Sequence, residues 1–160
     1  MVIIDDQFFN KNDCKFFKEK AIQNEKVADS FRDIYVLNLL SLNRKLTIRL
    51  GMLFTNYLAL KNITAYPELT QITIWPKDSR QESHFDNARD STVLTSITYL
   101  NDDYEGGETY FENGLVIRPE MGKTVFFDGM KYKHGVNPIV KGKRFVLATW
   151  YTNNINIAQI

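Results

Sequence analysis

Apolar and polar positions follow one rhythm in the first 65 residues of the chain and another after that. Val2 to Ile4 is a short apolar run closed by Asp5-Asp6, the pattern of a strand. Asn10 or Asn12 can cap a helix that starts near Asp13, because a side-chain oxygen there satisfies a free backbone N–H of the first turn. Phe16, Phe17, Ala21 and Ile22 form its apolar stripe, against Lys15, Lys18, Glu19 and Lys20. Gln23 to Ser30 is mostly polar and reads as a loop, and Ile34 to Leu40 as a strand. Ser41 is a candidate cap for a second helix, Leu42 to about Leu60, in which Leu42, Leu46, Leu50, Leu53 and Tyr57 recur at helical spacing. That helix is expected to pack on a sheet. Tyr66-Pro67 is read as a break.

Beyond it the period shortens to that of strands. Gln71 to Trp75, Ser91 to Leu100, Glu108 to Phe111, Leu115 to Ile117, Lys123 to Phe127 and Phe145 to Tyr151 are strand-like. Turn signals separate them at Pro76-Lys77-Asp78-Ser79, Asn101-Asp102-Asp103, Glu105-Gly106-Gly107, Glu112-Asn113-Gly114 and Asp128-Gly129. Short strands with a turn about every ten residues predict a β-sandwich or jelly roll rather than a βαβ fold. Residues 1–160 are expected to form one domain, with 1–70 supporting a core over 71–151. The tail from Thr152 to Ile160 is expected to be partly loose.

Composition narrows the function classes. A net charge of +1 gives no electrostatic footprint for nucleic acid or an anionic membrane. No apolar run reaches the length of a membrane span. Cys14 is the single cysteine, so no internal disulfide can form. No leader pattern is seen, since Met1-Val2-Ile3-Ile4 runs directly into Asp5-Asp6. A reducing, cytoplasmic setting is expected.

The chain has two histidines, and both fall in one chemically suggestive frame: His84-Phe85-Asp86, then His134-Gly135-Val136. On a strand, residues i and i+2 face the same side, so His84 and Asp86 can enter one cavity while Phe85 points out. Two histidines and one carboxylate can occupy one face of an octahedral iron(II) and leave the opposite positions open. The alternative is an exposed His, an exposed Asp and a packed His. Arg144 follows ten residues after His134, and by alternation shares a face with Val146, Ala148 and Trp150. One guanidinium on an apolar face suggests a barrel interior in which the charge needs an anionic partner, such as a dicarboxylate gripped by both N–H groups. A surface salt bridge is the alternative.

Several segments resemble one known family: Gln71-Ile72-Thr73-Ile74-Trp75, His84-Phe85-Asp86, Tyr99-Leu100-Asn101-Asp102, Glu105-Gly106-Gly107-Glu108-Thr109-Tyr110-Phe111, Pro119-Glu120-Met121-Gly122, Phe126-Phe127 and His134-Gly135-Val136. Together they are similar to the catalytic domain of the prolyl 4-hydroxylases, a branch of the iron(II) and 2-oxoglutarate dependent dioxygenases. The resemblance covers Ile72 to Tyr151, half of the chain. It implies a mostly β fold with N-terminal helices, a double-stranded β-helix of jelly-roll, cupin-like form. It implies His84, Asp86 and His134 as iron ligands, and Arg144 and Thr109 as contacts to the far carboxylate of 2-oxoglutarate. Trp75 falls where many members carry a Tyr that touches the same carboxylate; an indole offers only an N–H donor. The stretch from Trp75 to Ser79 also lacks the glycines many members have there. Thr98, Trp150 and Phe126 are candidates for lining the pocket, with plain core as the alternative for Trp150 and the preferred reading for Phe126.

The implied reaction decarboxylates 2-oxoglutarate to succinate with dioxygen and hydroxylates a substrate, here a prolyl residue of a peptide. Ascorbate is a further candidate cofactor. The loops Pro76 to Ser83 and Asn87 to Ser91 would flank a peptide groove, with Lys77, Asp78, Arg80, Gln81, Glu82, Arg89 and Asp90 as its polar content. Two other readings stay open: the same chemistry on a free amino acid or small metabolite, and a non-enzymatic β-barrel module that retains the metal. Neither a nucleic acid nor a membrane is expected as a partner.

Overall fold

A seven-stranded antiparallel sheet divides the molecule into a helical layer on one face and a cavity on the other. The computed structural model describes residues 1–86 and 91–160. The elements run β1 (Val2–Asp5), α1 (Lys11–Asn24), β2 (Asp29–Phe31), β3 (Ile34–Asn38), α2 (Leu39–Leu42), α3 (Arg44–Leu60), β4 (Tyr66–Trp75), β5 (Gln81–His84), β6 (Thr92–Tyr99), β7 (Glu105–Gly106), β8 (Thr109–Phe111), β9 (Val116–Ile117), β10 (Thr124–Phe127), β11 (His134–Val136), β12 (Ile139–Lys141) and β13 (Arg144–Thr152). The large sheet has the order β1-β10-β6-β13-β4-β3-β2, a four-stranded sheet the order β5-β11-β8-β9, and β12 pairs with β7. This is the jelly-roll arrangement expected from the strand spacing.

Period-two alternation gives each strand of the large sheet two different neighbours. One set of side chains (Leu94, Phe126, Phe145, Leu147, Tyr151) packs with Cys14, Phe17, Ala21, Leu50, Phe54 and Leu58 of the helices. The other set (Ile97, Tyr99, Val125, Phe127, Val146) meets Phe111, Ile117, Val136 and Ile139. The helix side is rich in aromatic contacts: Phe126 stacks on Tyr57 at 5.2 Å between ring centroids and meets Phe54 edge-on at 6.1 Å.

The helices start and turn differently from the simplest sequence reading. Asn10 caps α1: its Oδ1 accepts from the Asp13 backbone N–H at 2.9 Å, and the Asp13 carboxylate accepts in return from the Asn10 backbone N–H. The buried line of α1 is Cys14, Phe17 and Ala21, whereas Phe16 and Ile22 are exposed. Gln23 to Ser30 is not a loop. It holds the end of α1, a single 3₁₀ turn (Glu25–Val27) and most of β2. Its polarity reflects a wet helix end and a strand exposed at every residue. Ser41 caps nothing; Asn38 caps α2 and Asn43 caps α3, its Oδ1 accepting from the Leu46 N–H at 3.0 Å. The buried line of α3 is Thr47, Leu50, Gly51, Phe54 and Leu58, and Leu53 faces solvent.

Tyr66-Pro67 opens β4 instead of breaking the chain. Pro67 lies opposite Tyr151 at a register shift, a place where its missing N–H costs the ladder little. The tail is also fixed. The Gln159 N–H donates to the Pro67 carbonyl at 2.7 Å, and the Gln159 backbone passes so close to Gly51 that a Cβ there would collide with it. Among the described residues no helix is long and apolar enough to cross a membrane.

Candidate metal centre and anion site

The inner face of β4, β6 and β13 forms the floor of a cavity of about 610 Å³. His84 is the last residue of β5, and His134 the first of β11. The two lie directly opposite one another in the ladder, with ring centroids 4.5 Å apart. Asp86 follows just past the end of β5, its backbone N–H held by the Gly129 carbonyl at 2.9 Å. One ligand atom from each of His84, Asp86 and His134 lies within 4.8 Å of the other two.

Hydrogen bonds set which ring nitrogens face inward. His84 Nδ1 lies 3.0 Å from the Glu82 carbonyl and His134 Nδ1 3.1 Å from the Tyr132 carbonyl. A carbonyl only accepts, so each Nδ1 carries the proton and each Nε2 keeps its lone pair. Those Nε2 atoms lie 3.5 and 3.7 Å from the two Asp86 oxygens. Asp86 Oδ2 also accepts from the Thr95 hydroxyl at 2.6 Å. Gly129 leaves room for this group: a Cβ there would lie 2.6 Å from Asp86 Oδ2 and 2.7 Å from Thr95 Oγ1.

The protonation equilibria follow from the same contacts. Burial opposes the Asp86 charge, but His84, His134 and Thr95 together hold its carboxyl below the usual range. Burial pushes His134 down, and the pull of Asp86 does not fully offset it. For His84 burial is again the largest single influence, yet the contacts to Asp86 and Glu82 outweigh it and the ring is pushed up. A negative carboxylate between two inward lone pairs is a donor set that fits iron(II).

Arg144 opens β13 at the inner wall and is fully buried. Its Nη2 donates to Thr109 Oγ1 at 3.3 Å, and that oxygen is 2.7 Å from the Tyr99 hydroxyl. The guanidinium lies over the Trp75 ring at 4.8 Å and the Tyr99 ring at 5.4 Å. Its Nε and Nη1 are buried without a hydrogen-bond partner among the described residues, as is the Tyr104 hydroxyl. A buried cation with two orphaned N–H donors, facing the cavity that holds the triad, fits an anionic ligand with a carboxylate at one end. Trp75 contributes its ring face; its indole N–H is engaged by Thr73 Oγ1 at 2.9 Å.

Val146, Ala148 and Trp150 line the cavity with Arg144, as their alternation predicts. Thr98 and Phe126 do not. Thr95, Ile97 and Tyr99 point inward on β6, so Thr98 points to the helices and bonds Thr124 at 2.7 Å. Phe126 belongs to the helix-side core, and its neighbour Phe127 supports the site, edge-on to the His134 ring at 4.6 Å. Sequence reasoning missed Thr95, Phe127 and the cavity mouth at Asp29 to Arg32, and it put Gln81 on a flanking loop rather than on a strand of the cavity wall. Thr95 and Phe127 were within reach of the alternation argument already applied to β13; nothing in the sequence marked the mouth. The stretch Pro76 to Ser83 is not a free loop. The Asp78 N–H donates to the Ile139 carbonyl at 2.8 Å, Ser79 is buried and Gln81 begins β5. In the second flanking loop, Asn87 to Asp90, with Arg89, lie outside the described residues.

Comparison with known proteins gives the same frame. Residues 70–152 match the sequence model of the 2OG-Fe(II) oxygenase superfamily. The chain is 38% identical over 65 residues to human prolyl 3-hydroxylase 3 and 37% identical over 65 residues to chicken prolyl 3-hydroxylase 1. Each match covers 36% of this chain and 9% of the relative, so the chain spans a small part of those proteins' length. Among solved structures it is similar to a viral collagen prolyl hydroxylase of Paramecium bursaria Chlorella virus-1 in its 2OG complex. That similarity has a TM-score of 0.80 at 18% identity, over 96% of each chain. A Pseudomonas putida prolyl-4-hydroxylase gives 0.72 at 15%, over 96% of this chain and 92% of that one. A Trichoplax adhaerens prolyl hydroxylase, solved with a hypoxia inducible factor oxygen degradation domain peptide fragment, gives 0.74 at 16%, over 95% and 83%. At these identities the structures show the shared fold. The family match spans more than half of the chain, and the chain belongs to the 2OG-Fe(II) oxygenase superfamily. Membership implies iron(II), 2-oxoglutarate and dioxygen as its reagents, and an oxidoreductase as its class.

Proposed function

We propose that this 2OG-Fe(II) oxygenase hydroxylates a ring carbon of a prolyl residue within a flexible peptide, with 2-oxoglutarate released as succinate and carbon dioxide. The observation that carries the proposal is the cavity's two-ended chemistry. Arg144 stands buried at one point of the wall with two unpartnered N–H donors, and His84, Asp86 and His134 converge at another. Iron(II) held by the three ligands, together with 2-oxoglutarate, would supply the oxygen chemistry. The chain's residues bind and orient. Arg144 and Thr109 would grip the far carboxylate, Trp75 would press its ring on the guanidinium, and Ile97, Val146 and Ala148 would keep water from the reacting centre.

A peptide substrate is supported by the mouth, where Phe31 and Phe85 are 52% and 38% exposed beside the cavity. Prolyl chains are pre-extended and dock on aromatic surfaces at low ordering cost. The named activities of the similar proteins support the same substrate class. The single buried thiol, Cys14, supports a reducing, cytoplasmic setting as part of this proposal.

The test is succinate release from 2-oxoglutarate by the iron-loaded protein with proline-rich peptides, with mass spectrometry of the peptide. One added oxygen on proline, dependent on 2-oxoglutarate and lost in His84→Ala, Asp86→Ala and His134→Ala, is the expected result. Omitting ascorbate from the same assay tests its role. Unmodified peptides with succinate release driven by a free amino acid or metabolite would replace this substrate.

A further inference from the structure

The cavity mouth is built by a feature the chemistry above does not use. β2 and β3 form a hairpin in which Phe31 faces Ile34, so Arg32 and Asp33 are its two-residue connection. Arg32 has φ 54°, the left-handed region, at the first turn position where such hairpins usually carry glycine. An arginine held there at a backbone cost invites a functional reading of its side chain. Its guanidinium lies over the exposed Phe31 ring at 5.3 Å, and both residues line the cavity that holds His84 and Asp86. Stacking fixes the plane of the fork while leaving its N–H edge free. Among the described residues Arg32 takes part in no ion pair.

We infer that the Phe31–Arg32 hairpin tip reads the substrate peptide beside the hydroxylated residue, and that it selects a carboxylate there. The inference rests on the peptide substrate proposed above. Apolar Ile34 and Val36 continue the wall inward from the tip, so the target ring enters over them while the neighbouring side chain stays at the rim, within reach of Arg32. A planar fork matches a carboxylate bidentately, which neither an amide nor an ammonium can do. Asp29, at the other end of β2, also lines the mouth. It repels a second acid, so one placed carboxylate is favoured over a polyacidic run.

The test uses proline peptides identical except for Glu, Gln or Lys next to the target, in one set before the proline and in another after it. Hydroxylation kinetics are measured together with fluorescence anisotropy of labelled peptides on the protein without turnover. In one of the two sets the wild-type chain should favour Glu over Gln by about three- to fivefold, the scale of an exposed ion pair. The difference should appear in KM and in binding, leave kcat unchanged and shrink as salt is added. Arg32→Gly suits the turn, so the hairpin stays folded, and it should erase the preference; Arg32→Glu should favour Lys. Hydroxylation of all peptides with no charge preference, or an unchanged preference in Arg32→Gly, overturns the inference while leaving the prolyl reading intact. No oxygen on any peptide, with a small molecule driving succinate release, overturns both.

Discussion

Replacing Arg144 by methionine separates the protein's need for the guanidinium from its need for the side-chain volume. Methionine keeps an unbranched stem between Trp75 and Tyr99, the two rings on which the guanidinium lies at 4.8 and 5.4 Å. It removes a fully buried charge with one hydrogen bond, to Thr109, and two N–H donors without a partner. Thr109 keeps its bond to Tyr99 at 2.7 Å, so no new orphan is left. Without ligand the variant should therefore be as stable as the wild type or more so, since apolar replacement of buried charge is often neutral or stabilising by about 1–4 kcal/mol. With ligand the order reverses. Losing a desolvated charge pair to a carboxylate costs about 2–5 kcal/mol, which raises Kd by roughly 30-fold at the least.

Thermal unfolding of the anaerobic iron(II) protein reads both effects. At a 2-oxoglutarate concentration of about 100 times the wild-type Kd, binding stabilises the wild type by about 2.7 kcal/mol. For a chain of this size that raises Tm by about 5–11 °C. A Kd raised 30-fold leaves about 0.9 kcal/mol, or roughly 2–4 °C, and a larger loss leaves nothing. Arg144→Lys should fall between the two, a point charge replacing the fork imperfectly. An undiminished shift in Arg144→Met would refute the assignment of the carboxylate to this wall.

Thr95→Val removes the 2.6 Å hydrogen bond to Asp86, and iron affinity measured by chelator competition should fall about 10- to 100-fold; Gly129→Ala, which puts a methyl 2.6 Å from Asp86 Oδ2, should cost more. Phe126→Ala should cost about 3–5 kcal/mol in denaturant unfolding and leave the 2-oxoglutarate Kd of the folded protein unchanged, because the ring lies on the helix side of the sheet. Burial raises the Cys14 thiol from 9.0 to about 11, so iodoacetamide should label it about a hundredfold more slowly near pH 8 than an ordinary thiol, and faster only on unfolding. The same raised value means that the thiol's contribution to stability is present below pH 9.0 and is lost as pH rises through about 11, which an alkaline unfolding series against Cys14→Ala would show.

The strand half of the fold was legible because alternation there decides burial on both faces of one sheet. Residues 144, 146, 148 and 150 line the cavity, while Phe145, Leu147 and Tyr151 pack on the helices. The helical half was less so. Leu53 and Phe16 are apolar yet exposed, and Thr47 and Gly51 are buried, so counting apolar residues turned α3 by about one position and widened the stripe of α1 to include the exposed Phe16 and Ile22. A buried Thr is satisfied by its own helix, its hydroxyl donating to the Asn43 carbonyl at 3.0 Å, and so leaves no hydrophobic signal. β2 and β11 are three residues long, too short for a period to show.

The candidate metal ligands and Arg144 stood out in the sequence for a different reason: few residue types suit such roles, and the chain has only two histidines. Position in three dimensions was harder. Nothing in the sequence set His134 opposite His84, yet the two pair directly, because β11 returns antiparallel against β5. That pairing is what brings both Nε2 atoms to one carboxylate, since each ring is pinned by a carbonyl two residues earlier in its own chain. The mouth was not legible at all. Asp29 to Arg32 look like any polar loop, and become part of the site only because β2 adds to the free edge of β3. On the proposed assignments, the chemistry of the reaction is written in rare residue types and selection of the substrate in common ones whose meaning comes from topology. Substitution at Arg32 should accordingly change which peptide is used, and substitution at Arg144 whether 2-oxoglutarate is held at all.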